Sequence, residues 1–265
     1  MLRLEVKRLP NYQLSAIKIV VVCFVWSRLI KQQKPKYNAQ VILLHGLART
    51  PRSMAKLARH LSQRNLRILN IGYKAVLNNY QQILDKIELQ VSQWLDPNLP
   101  VHFVGHSFGG ILIRGLLARH KSWDIGRCVM LGTPNQGTNT ATFMLSHRWL
   151  KYFVPKVTAD LTPKSQLLEN LPEPEIETGI IAGNVKFSLV IPVSWYYKKA
   201  TGDAPGDGVV ELSNTQCSNM TDFIVMPLHH SFMTWDSDLI EQVTHFIEFG
   251  RFTDKYKPIM SERLE

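Results

Sequence analysis

From residue 37 onward, short apolar runs alternate with longer stretches in which apolar side chains recur every three or four positions. Residues 39–46 (AQVILLHG) form a β-branched and leucine run ending at Gly46, which predicts a buried strand. Residues 50–65 (TPRSMAKLARHLSQRN) place Thr50 as a cap and Pro51 one position in. Met54, Leu57, Ala58 and Leu61 follow at helical spacing. Residues 66–73 (LRILNIGY) return to strand character. In residues 79–95, Ile83, Ile87, Val91 and Leu95 share one face of a predicted helix.

The alternation continues through a strand at 101–107 (VHFVGHS), a helix at 108–120 (FGGILIRGLLARH) and a strand at 126–134 (GRCVMLGTP). It resumes with strands at 178–184 (TGIIAGN) and 222–227 (DFIVMP), and with a last helix at 237–250. Strands and helices alternating at this spacing predict an α/β fold with a mainly parallel sheet and helices on both faces. Right-handed crossovers bring the carboxyl ends of such strands to one edge, where ligands bind.

Two irregular insertions interrupt the pattern, at 135–177 and 185–206. Long irregular insertions in a compact domain are more often functional than idle. They are expected to form a small cap whose aromatic residues, Trp149, Tyr152, Phe153, Trp195 and Tyr196, line a pocket. The predicted organisation is a basic extension at 1–36, an α/β domain at 37–250 carrying the cap insertions, and a tail at 251–265.

Composition changes this picture mainly at the amino terminus. The net charge is +10, yet residues 1–40 alone hold eight Lys or Arg against Glu5, a net +7. The positive charge therefore sits in the extension and not on the domain, and no zinc-finger or ribonucleoprotein signature accompanies it, so nucleic acid is not an expected partner. Within the extension, residues 16–30 (AIKIVVVCFVWSRLI) have an apolar core of Ile19–Trp26. That is short of the roughly 20 apolar residues a spanning helix needs. Three readings stay open: an anchor or interfacial helix, a degenerate signal peptide, or a helix packed on the domain. The extension favours a chain at the inner membrane or exported, in contact with a membrane surface, over one free in the cytoplasm. Cys23, Cys128 and Cys217 are odd in number and widely spaced, so neither a disulfide framework nor a zinc site is expected.

The candidate chemistry lies in Gly105-His106-Ser107-Phe108-Gly109. A serine on a sharp strand-to-helix turn leaves no room for neighbouring Cβ atoms, which accounts for the glycines, and the predicted strand before and helix after supply the required context. A serine hydroxyl is a weak nucleophile near neutrality and needs a base, an acid to orient that base, and N–H donors for the developing oxyanion.

Four further features occur in order: HGL at 45–47, LGTPNQGT at 131–138, GDGVV at 206–210 and HHSFM at 229–233. With the serine elbow, this series resembles the α/β-hydrolase family, particularly its bacterial lipases and esterases, over residues 39–250. The resemblance implies Ser107 as nucleophile, Asp207 as acid and His230 as general base. It also implies the backbone N–H groups of Leu47 and Phe108 as oxyanion donors. Asp203 and Asp222 compete for the acid's role, but only Asp207 sits in Asp-Gly-Val-Val. His229 adjoins His230, and the following Ser231-Phe232-Met233 fits the family pattern when His230 is the base, leaving His229 near the site or at the surface.

The implied function is a serine hydrolase of carboxylic esters acting through an acyl-enzyme, with no metal or organic cofactor. The expected substrate is a small-molecule or lipid ester with an apolar acyl group. Two alternatives are an acyltransferase using the same acyl-enzyme and a catalytically silent, membrane-associated binding protein.

Overall fold

The computed structural model of the chain describes residues 37–148, 152, 154–186 and 192–256. The expected extension at 1–36, part of the carboxyl-terminal tail, and Trp149 and Phe153 of the expected cap lie outside the described residues.

The strands are β1 (Ala39–Leu44), β2 (Leu66–Ile71), β3 (Val101–His106), β4 (Ile125–Leu131), β5 (Thr178–Gly183) and β6 (Asp222–Met226). They form one sheet in the order β2-β1-β3-β4-β5-β6, and every pairing is parallel. β1, β3 and β5 are buried along their whole length, as continuous apolar runs in a parallel sheet require.

The helices are α1 (Ala55–Ser62), α2 (Tyr80–Trp94), α3 (Phe108–Arg119), α4 (Asn139–Ser146), α5 (Gln166–Asn170), α6 (Pro192–Thr201) and α7 (Ser237–Phe249). Side chains alternate across a strand, and the two cores follow that alternation. Ile42 and Leu44 pack with Ile83, Ile87 and Val91 of α2 and Ile111 and Leu112 of α3. Val41 and Leu43 pack with Leu57 and Leu61 of α1 and Leu239, Val243 and Phe246 of α7. The sheet is thus sandwiched between α2/α3 and α1/α7, the arrangement the hydrophobic pattern predicts.

One local expectation is corrected. Thr50 makes no side-chain cap, and the chain enters α1 through a 3-10 turn, Pro51–Met54. There Ser53 donates its hydroxyl to the Thr50 carbonyl, a backbone partner that competes with helical bonding. α2 carries a reciprocal cap in which Asn79 accepts from the Gln82 N–H and Gln82 accepts from the Asn79 N–H.

Candidate active site

The carboxyl ends of β1, β3 and β4 and the loops after β5 and β6 converge on Ser107. β3 delivers the chain into a sharp turn at Ser107, whose φ of 55° lies in the left-handed region, and α3 begins at the next residue. A non-glycine residue in that region is strained and persists only where its surroundings hold it. Here the Ser107 N–H donates to the Leu131 carbonyl at 2.8 Å, and the Ser107 carbonyl accepts from the Gly110 N–H at 3.0 Å. Close approach also dictates the flanking glycines. A Cβ on Gly105 would stand 2.6 Å from the Gly110 nitrogen, and one on Gly109 would collide with the Leu44 carbonyl.

The turn presents the Ser107 hydroxyl to His230, whose Nε2 lies 2.9 Å from Oγ. On the other side of the ring, Nδ1 lies 2.6 Å from Asp207 Oδ2. A carboxylate only accepts, so the ring carries its proton on Nδ1 and offers Nε2 as acceptor to the serine hydroxyl. Asp207 is itself fixed, since its Oδ1 accepts from the N–H groups of Val209 (3.0 Å) and Val210 (2.8 Å). Its backbone carbonyl takes the His230 N–H at 2.9 Å. Asp207 is 1% exposed and His230 6%. Gly132 at the end of β4 leaves room for the pair, because a Cβ there would stand 2.8 Å from Asp207 Oδ2.

The competing residues lie elsewhere. Asp203 is an exposed residue beside Lys198. Asp222 accepts from the N–H groups of Phe223 and Phe252 at the amino end of β6. His229 is buried rather than at the surface, and its Nδ1 accepts from the Ser231 N–H at 3.1 Å. Burial lowers its pKa.

Phe108 is the first residue of α3, so its N–H has no acceptor within the helix. Leu47 follows His45-Gly46 at the end of β1, and both Leu47 and Ser107 line a cavity of about 470 Å³. The remaining walls are mostly aliphatic, including Met144, Val154, Leu161, Val209 and Val210. The first insertion lines the pocket through α4, Val154 and the 3-10 helix Lys156–Leu161, and none of the expected aromatics that are described is among the lining residues. Of the described aromatics, Tyr152 and Trp195 are exposed and Tyr196 packs on Phe143. Among the described residues, no group of His, Cys, Asp and Glu has a metal-binding arrangement.

Two neighbouring side chains, Tyr73 and Arg49, escaped the sequence reading of the site, and His106 of the elbow bonds a loop beside it. Tyr73 stacks on His45 at 4.1 Å, donates its hydroxyl to the His45 carbonyl, and gives its N–H to His45 Nε2 at 3.4 Å. It thereby clamps the segment that leads to Leu47. His106, within the serine elbow, is buried, and its Nε2 lies 3.0 Å from the His230 carbonyl. Burial, with His230 and Arg49 nearby, holds its pKa well below the usual value, so the ring is neutral. Arg49 is half-buried in the cavity wall and donates to the Ser231 carbonyl at 3.2 Å.

A family model described as palmitoyl protein thioesterase matches residues 40–184, a span that includes Ser107 and ends before Asp207 and His230. No curated protein matches the sequence. Several solved structures share the fold. Phospholipase PlaB from Legionella pneumophila superposes with a TM-score of 0.53 at 16% identity, over 67% of this chain and 46% of that one. The chain thus spans less than half the length of PlaB. The mature form of the Bacillus licheniformis lipase BlEst2 gives 0.56 at 19% identity, over 82% of this chain and 92% of that one. The esterase EaEST from Exiguobacterium antarcticum gives 0.55 at 13%, over 80% and 93%. At these identities the likeness is one of fold.

Proposed function

Because the chain belongs to the palmitoyl protein thioesterase family and has the α/β-hydrolase fold, we propose that it hydrolyses carboxylic esters or thioesters through an acyl-enzyme on Ser107. The observation that carries this reading is the hydrogen-bonded series Ser107 Oγ, His230 and Asp207, with spacings of 2.9 and 2.6 Å.

In this reading Ser107 Oγ attacks the substrate carbonyl while its proton passes to His230 Nε2. Asp207 keeps the Nδ1 proton in place and stabilises the imidazolium. The N–H groups of Leu47 and Phe108 meet the oxyanion, a contribution typically worth about 10²–10³ in turnover per donor. His230 then returns the proton to the leaving alcohol or thiol. Water attacks the acyl-serine with His230 again as base, which releases the carboxylic acid and restores the serine.

The aliphatic cavity beside Ser107 supports an apolar acyl group, at about 0.8 kcal/mol for each methylene buried. Among the described residues no helix is long and apolar enough to cross a membrane. The basic and apolar sequence of residues 1–36 nevertheless suits an enzyme that meets its substrate beside a lipid surface.

The test is hydrolysis of p-nitrophenyl esters and acyl thioesters from short to long acyl chains, wild type beside Ser107→Ala. Activity that rises with chain length and disappears in the variant supports the proposal. A wild-type protein that is folded yet inactive on every ester and thioester contradicts it.

A further inference from the structure

Most of the cavity beside Ser107 is apolar, and among its described lining residues Arg49 is the one Lys or Arg side chain. Arg49 projects from the loop after β1 into the wall that also contains Ser107, His230 and Ser231. A guanidinium remains charged in a protein and offers five N–H donors. One reaches the Ser231 carbonyl. Among the described residues no carboxylate lies within ion-pair distance of Arg49.

The other buried or half-buried arginines of the described chain are all well partnered. Arg114 donates to the carbonyls of Asn135, Leu171 and Pro172. Arg119 pairs with Asp85 and Glu88, and Arg127 with Glu177. Arg67 lies over the Trp94 ring and bonds Gln40. Withdrawing a cation from water is unfavourable unless an anion or a set of acceptors compensates. Arg49 is the half-buried guanidinium with one carbonyl to answer it, and it stands at the catalytic cavity. Burial lowers its pKa and no acidic neighbour opposes that effect.

We propose that Arg49 binds an anion, a carboxylate or a phosphate, carried on the leaving group of the substrate. The inference rests on the hydrolase reading above. The side of the substrate follows from the proton path. His230 Nε2 must reach the leaving atom, so the leaving group departs along the rim formed by His230 and Ser231, where Arg49 is bonded. The acyl chain takes the opposite, aliphatic wall of Met144, Val154 and Leu161. Arg49 thus sorts substrates by the charge of the alcohol or thiol they release, while the apolar wall sorts them by acyl length.

A rival role for Arg49 is purely structural, as a tether between the loop after β1 and the Ser231 loop. The two roles differ in what they predict for charged and neutral substrates, so the experiment uses matched hexanoyl esters of phenol, 3-hydroxybenzoate and 3-hydroxyphenyl phosphate. The quantity read is the ratio of kcat/KM for each anionic ester to that for the neutral one, in wild type, Arg49→Gln and Arg49→Lys. A second arm measures binding of hexyl phosphate and of hexanol to Ser107→Ala and to the Ser107→Ala/Arg49→Gln double variant by calorimetry.

The proposal predicts that Arg49→Gln lowers the anionic-to-neutral ratio by about tenfold or more, the effect of losing one charge-assisted contact. Arg49→Lys retains part of the ratio. Hexyl phosphate binds more tightly than hexanol only when Arg49 is present. Whichever anionic ester shows the larger ratio identifies phosphate or carboxylate as the preferred group. An equal loss on charged and neutral esters overturns the proposal in favour of the tether and leaves the hydrolase reading intact. If the wild type hydrolyses none of the esters, the hydrolase reading fails. The calorimetric arm then decides the anion site alone: Arg49-dependent binding of hexyl phosphate upholds it, and binding no tighter than that of hexanol overturns it.

Discussion

His106 Nε2 and the backbone carbonyl of His230 stand 3.0 Å apart, so the residue just before the proposed nucleophile holds the backbone of the proposed base. A carbonyl only accepts, so the His106 ring is protonated at Nε2. Replacing His106 with Ala removes this donor from a buried carbonyl, at a cost of about 1–3 kcal/mol in stability. It also frees the loop carrying His230, which is expected to lower kcat by about tenfold at little change in KM, since a weakened hydrogen bond of this kind is worth roughly 1.4 kcal/mol. His106→Gln, whose amide can still donate, should recover part of kcat. Steady-state kinetics beside denaturant midpoints separate the two effects, and a stability loss without any fall in kcat would leave His106 with no role in positioning the base.

Tyr73 acts in the same way on the other side of the site. Its hydroxyl and N–H both bond His45, two residues before the Leu47 N–H. Tyr73→Phe keeps the ring stack but drops the hydroxyl bond to the carbonyl. Turnover should fall, though by less than the roughly 10²–10³ typical of deleting an oxyanion donor outright. The measurement is kcat against KM on one p-nitrophenyl ester, and a rise in KM with kcat intact would count against the clamp.

The assignment of the acid yields a three-way comparison. Asp207→Asn should cut kcat by up to about 10⁴, because the amide favours the wrong His230 tautomer. Asp222→Asn should instead weaken the bond to the Phe252 N–H and lower stability by about 1 kcal/mol. Asp203→Asn, at an exposed position beside Lys198, should change neither. A larger loss of kcat at Asp222 or Asp203 than at Asp207 would reverse the assignment.

Several histidines are buried as neutral rings, which sets a direction for stability against pH. His102 is 8% exposed and its Nδ1 accepts from the Arg127 N–H at 2.9 Å. Burial, with Arg127 nearby, lowers its pKa from 6.5 to about 4. The unfolded chain therefore binds a proton below about pH 6.5 that the folded chain refuses until about pH 4, so stability declines as pH falls through this window. The loss from His102 alone is about 3 kcal/mol. His45, His106 and His229, also lowered by burial, add losses of the same sign. Denaturant midpoints between pH 7 and pH 4 should fall for wild type and fall less for His102→Gln, which can still accept from Arg127. Identical slopes would contradict this account of His102.

Much of this architecture was legible in the sequence because it depends on local pattern. Val41, Ile42, Leu43 and Leu44 advertise a strand buried on both faces, and Ile83, Ile87 and Val91 advertise a helix face. The turn at Ser107 announces itself through Gly105 and Gly109, since backbone crowding allows no Cβ there. Tyr73 and Arg49 were invisible for the opposite reason. Each lies among ordinary strand or loop residues, and its contacts, to His45 and Ser231, are made only when separate segments meet. For Tyr152, Trp195 and Tyr196 the expected pocket lining does not hold, because aromatic content does not say which side chains face inward. Met144 and Val154 reach the cavity while Trp195 remains exposed. Thr50 has the composition of a helix cap but precedes a 3-10 turn in which its side chain makes no cap bond and the Ser53 N–H goes to its carbonyl instead.

The most direct test of the central claim is covalent labelling with a fluorophosphonate, followed by peptide mapping of the adduct in the full chain. A single adduct on Ser107 is expected, absent in Ser107→Ala and formed far more slowly in His230→Ala and Asp207→Asn. Failure of the folded wild-type protein to label, or an adduct at another serine that persists in Ser107→Ala, would contradict the assignment of Ser107 as the nucleophile.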